Sequence, residues 1–70
     1  MDPGSDEARE WLDKADEDLR SARILIEHSS PVYETACFHA QQAAEKALKG
    51  FLVWKGVSFE KVHDLTYLLD

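Results

Sequence analysis

The stretch ACFHAQQAAEKALKGFLVWKG, Ala36 to Gly56, decides the fold. Read together with Tyr33, its apolar residues recur at spacings of four and three: Tyr33, Cys37, Ala40, Ala44, Ala47, Phe51, Trp54. That is the period of an amphipathic helix. The pattern predicts a helix from Pro31 to about Lys55, with Ser30 as cap, Pro31 in the first turn and Gly56 as the stop. Ala36 and Ala43 flank the stripe, and such small residues let another helix approach closely. Gly50 costs about 1 kcal/mol relative to alanine inside a helix, which is tolerable where a neighbouring backbone packs against it. Phe38, Leu48 and Leu52 widen the apolar arc to about half the circumference. This helix is therefore expected to be central, with more than one neighbour.

Upstream, Ala8, Leu12, Ala15, Leu19, Ala22 and Ile26 form a second stripe, widened by Trp11 and Leu25. It predicts a helix from about Asp6 to His28, with Ser5 as N-cap and acids in the first turns, where the helix dipole favours them. Residues 1–5 read as a disordered tail, and residues 6–70 as one helical domain. Downstream, Val57 to Val62 reads as a linker. Asp64 can cap a third helix that opens at His63 and carries Leu65, Tyr67, Leu68 and Leu69. Nothing terminates that helix before Asp70, so the chain reads as the N-terminal part of a longer domain, or as one that ends where order is lost. The fold class is all-α: an antiparallel up-down helical bundle, two long helices plus the start of a third.

Seventy residues make one domain at most. A chain this short buries only about 60% of its unfolded surface, so a partner surface is expected, as a homodimer or higher oligomer. The formal charge is −6, fourteen acids against eight lysines and arginines. Such a surface repels phosphate backbones and disfavours direct nucleic-acid binding by this chain alone. The acids cluster early, at Asp6, Glu7, Glu10, Asp13, Asp16, Glu17 and Asp18; from Phe38 to Val62 the balance turns slightly basic. The single cysteine, Cys37, sits among apolar neighbours and reads as a reduced, buried thiol of a cytoplasmic protein. The acidic start has no apolar segment of a signal peptide, and no run approaches a membrane span.

His39, Gln42, Lys46 and Lys49 fall on one side of the second helix, within about 80° of arc. Two readings follow: a solvated polar face, or a surface for an anion such as a nucleotide, with two ammonium groups one turn apart. No glycine-rich phosphate loop accompanies it. His63 and Asp64 read as helix capping or as half of an acid–base pair. Cys37, His39 and His63 make no zinc set, because positions 37 and 39 lie about 200° apart on a helix. No metal site or cofactor is expected.

The segments WLDKADEDLRSARILIE, ACFHAQQAAEKALKGFLVWKG and HDLTYLL resemble the HEPN domain family (higher eukaryotes and prokaryotes nucleotide-binding). The match runs from Trp11 to Leu19, from Cys37 to Lys49, and on to His63 and Leu65. The resemblance implies a helical bundle, commonly dimeric, often beside a minimal nucleotidyltransferase in toxin–antitoxin or related pairs. Some members are metal-independent RNases with an Arg-x4–6-His motif on a late helix. Here Arg23 and His28 have that spacing, but they end the first helix, hydrophobic Ile24 follows the arginine, and the two positions diverge by about 140°. The reading is a HEPN interaction domain. The alternatives are an RNase toxin whose catalytic helix lies beyond residue 70, and a purely structural helical adaptor.

Overall fold

A computed structural model describes residues 3–58, 60 and 61. They form two helices, α1 (Pro3–Glu27) and α2 (Tyr33–Trp54). Among the described residues there is no strand, and the chain is all-α. The expected third-helix residues Leu65, Tyr67, Leu68 and Leu69, and the pair His63 and Asp64, lie outside the described residues.

The ends of the helices depart from expectation in informative ways. α1 opens at Pro3, a residue whose missing N–H would be unbonded in a first turn anyway. Ser5 therefore lies inside the helix and is not its cap. α2 starts after Val32, and no side chain caps it, neither Ser30 nor any other. The main chain holds the turn instead. Val32 N–H donates to the Leu25 carbonyl at 3.1 Å, and the Val32 carbonyl accepts from Ala36 N–H at 3.0 Å. Gly56 does end α2, at φ 79°. Its N–H donates to the Val53 carbonyl and that of Val57 to the Leu52 carbonyl, both at 3.0 Å. This is a Schellman closure, and it needs a left-handed residue at Gly56. Beyond it, residues 60 and 61 are helical where a linker was expected. The Ser58 hydroxyl accepts from Lys61 N–H at 3.4 Å, so helical backbone begins ahead of Asp64.

The hairpin is antiparallel: Gly50, near the end of α2, meets Ala8, near the start of α1. A Cβ built on Gly50 would lie 3.1 Å from the Ala8 carbonyl oxygen and 3.2 Å from Trp11 Cβ. The glycine is there because the α1 backbone occupies that space. The same period continues along both helices. Ala8, Ala15 and Ala22 recur every seventh residue on α1, as do Ala36, Ala43 and Gly50 on α2, and all six are buried. Small residues at a seven-residue repeat let two helices approach closely over their whole length.

On α1 the seam uses the alanines of the expected stripe, Ala8, Ala15 and Ala22, whereas on α2 it lies beside the expected stripe. On α1, Leu12, Leu19 and Ile26 remain half exposed. On α2, Tyr33, Ala40, Ala44, Phe51 and Trp54 are exposed, and so is Cys37, expected to be buried. Among the described residues α2 has one helical neighbour, α1, rather than several. Each buried alanine methyl contributes only about 0.8 kcal/mol. The hairpin thus closes on its smallest side chains and leaves its largest ones facing outward.

Candidate functional site: a shared carboxylate in the helix seam

Three polar side chains sit on the seam between the small residues. Asp18 lies between Ala15 and Ala22, His39 between Ala36 and Ala43, and Lys46 between Ala43 and Gly50. All three follow a seam alanine by three positions, so they face one another across the hairpin. His39 Nδ1 lies 3.0 Å from Asp18 Oδ1. The Lys46 ammonium donates to Asp18 Oδ2. The Asp18 side chain is only 13% exposed, and those of His39 and Lys46 are 29% and 27% exposed. The Phe38 ring meets the His39 ring edge-on, with centroids 5.6 Å apart.

This geometry sets the charge on Asp18. The Lys46 hydrogen bond first, and the His39 contact second, hold its carboxyl below the ordinary aspartate value, against the opposing effect of burial. A carboxylate bonded through both oxygens to separate donors is chemically satisfied within the chain.

The four residues expected to share a polar stripe therefore divide. His39 and Lys46 meet an internal anion, Asp18. Lys49 lies further round the helix; its ammonium is 3.3 Å from Glu45 Oε1 and 5.0 Å from the centre of the Trp11 ring. Lys14 approaches the same ring at 5.1 Å. Gln42 is half-buried on the same flank. Glu45 is buried, and its Oε2 has no hydrogen-bond partner. Asp18 counts only as one of the early acids in the sequence. The signal that singles it out is its place in the Ala15–Ala22 interval.

Arg23 and His28 do not assemble. Arg23 Nε donates to Glu27 Oε1 at 3.0 Å, one turn away on an exposed surface. His28 Nδ1 accepts from Ser30 N–H at 3.0 Å. Each has its own local partner. Among the described residues no three histidine, cysteine or acidic side chains gather as a metal site. No helix among them is long and apolar enough to cross a membrane.

Comparison with known proteins adds the family. The sequence pattern described as "HEPN domain" matches residues 8–70. A protein of Methanocaldococcus jannaschii named "Putative toxin MJ1304" is 33% identical over 54 residues, covering 77% of this chain and 34% of that protein. The chain thus spans about a third of the length of that relative. No solved structure matches it.

Proposed function

The chain belongs to the HEPN domain family, and from that premise we propose that it is the helical interaction part of a toxin-like protein whose partner is a minimal nucleotidyltransferase. The observation that carries this reading is the likeness to a relative named as a toxin, over most of the chain's length. The way the described side chains pair supports a binding role. Arg23 and His28 are engaged separately, and Asp18 is bonded to both His39 and Lys46. Nine large hydrophobic side chains among the described residues, meanwhile, are exposed. Contiguous apolar surface of this kind, as along Leu12, Leu19 and Ile26, supports contact with a further packing surface.

The experiment is co-expression of the tagged chain with a minimal nucleotidyltransferase, taken from beside its gene if one is encoded there. The two proteins are expected to co-purify at physiological salt, and the transferase is expected to relieve any growth arrest caused by expression of the toxin-like protein. Separate elution of two folded proteins would reject the pairing. RNA cleavage by the chain itself, lost in Arg23→Ala, would replace this reading with a ribonuclease.

A further inference from the structure

The open face of the hairpin is an apolar trough with two unanswered charges on its edge. Three shallow hollows of about 400, 440 and 330 Å³ lie end to end along it, the first two meeting at Leu12 and the last two at Leu19. Leu12 and Leu19 stand on the α1 side, and Phe51 and Trp54 at one end of the α2 side, all more than half exposed. Alanines of α2 floor the middle. Arg9 lines the first hollow, Asp16 the second and Arg23 the third. Arg23 is already bonded to Glu27. Arg9 and Asp16 are exposed and have no ion-pair partner among the described residues. Lys55, with its ammonium 4.8 Å from the centre of the Trp54 ring, adds a second cation at the Arg9 end.

The trough dictates the form of what fills it. Its walls are two helices, whose main-chain groups are bonded within themselves. An occupant finds no main-chain donors or acceptors there, so it has to satisfy its own backbone. A helix does so and a single strand does not. The spacing agrees. Leu12 and Leu19 are seven residues apart, which is about 10.5 Å along α1. A heptad of a facing helix has the same length, whereas a strand repeats a face about every 6.6 Å.

We propose that this trough is the docking site for an amphipathic helix of a protein partner, with an acidic side chain against Arg9 and Lys55 and a basic one, two turns along, against Asp16. An acid near the start of a helix and a base further along suit its dipole, so the docked helix runs parallel to α1 and antiparallel to α2. The inference rests on the binding role proposed above, and not on the identity of the partner.

The probe is a dye-labelled, lactam-bridged helical peptide of about three heptads. It carries leucine along its apolar seam, one glutamate at the edge of the seam and one lysine a heptad further on, and no other charge. Fluorescence anisotropy is expected to show binding at micromolar concentration and low salt. Arg9→Glu is expected to weaken it roughly fivefold, as for an exposed ion pair, and the effect shrinks at high salt. A peptide with lysine in place of the glutamate is expected to bind wild type more weakly and Arg9→Glu more tightly. Leu19→Asp sets a charge in the trough and is expected to abolish binding, with helicity kept because Leu19 is outside the seam.

A folded wild-type chain that binds neither peptide overturns the proposal, whether a second copy or the chain's own remaining residues cover the face. So does binding in which the two charge reversals fail to compensate. The partnership with a nucleotidyltransferase stands or falls separately. If co-purification persists in Leu19→Asp, the partner docks elsewhere and only this inference fails. If the peptide binds as expected and no nucleotidyltransferase co-purifies, only the partnership fails.

Discussion

Lys46 reaches across the hairpin to the carboxylate of Asp18, 28 positions earlier in the chain. It is joined there by His39, which takes the other oxygen. The contact ties the middle of α1 to the middle of α2, where the remaining seam is alanine. Alanine contacts are alike at every level, so they do not by themselves distinguish one alignment of the helices from another. The ion cluster does.

Removing the carboxylate is therefore expected to cost more than an exposed ion pair would. Asp18→Asn keeps the shape and loses the charge. It is expected to destabilise the fold by about 1.5–3 kcal/mol, the range for hydrogen bonds to charged groups. Urea unfolding followed by circular dichroism measures it. A change within about 0.5 kcal/mol, typical of a surface substitution, would show that the cluster is incidental to stability.

The same cluster makes a signed prediction for pH. Asp18 has its carboxyl held below the ordinary value in the folded state, first by Lys46 and then by His39. Its stabilisation is fully present above the unfolded value of about 3.9 and is lost as pH falls through the lower folded value. The stability gap between wild type and Asp18→Asn should hold near neutral pH and narrow below about pH 4. A gap that stays constant into strong acid would count against the assignment to Asp18.

Gly50 tests the close approach of the helices. With the Ala8 carbonyl oxygen 3.1 Å from a Cβ at this position, Gly50→Val has to push α1 away. The expected loss is about 1–3 kcal/mol, as for other overpacked sites. Thermal unfolding would show it as a lower midpoint. An unchanged or higher midpoint would mean that the helices separate freely there.

The cations on the flank of α2 give the fourth prediction. Asp18 occupies His39 and Lys46, so added anions must compete with it. Asp18→Asn releases both, next to Lys49 and Gln42. This variant is expected to bind ATP more tightly than wild type at low salt, by a modest factor that fades at physiological ionic strength. Asp13→Asn changes the net charge equally and is the control. If the two variants titrate alike, the effect is overall charge and the flank is not an anion surface.

The all-α fold and the two helices were legible in the sequence because their causes are local. Apolar spacing of three and four identifies a helix wherever it lies, and Gly56 ends α2 because the closing hydrogen bonds need a left-handed residue there. Even the role of Gly50 was legible, since a glycine in a helix implies a close neighbour. On α1 the expected stripe does supply the seam, through Ala8, Ala15 and Ala22; which face of α2 turns inward was a different matter. Apolar periodicity ranks faces by hydrophobicity, and on that measure the stripe through Ala40, Ala44 and Phe51 outranks one that contains His39 and Lys46. The tertiary structure chose the other face. Ala36, Ala43 and Gly50 let two backbones come close, and Asp18, from a distant part of the chain, pairs with the Lys46 ammonium and the His39 ring that this face brings inward. Neither effect exists on an isolated helix: close approach and charge pairing belong to two helices at once.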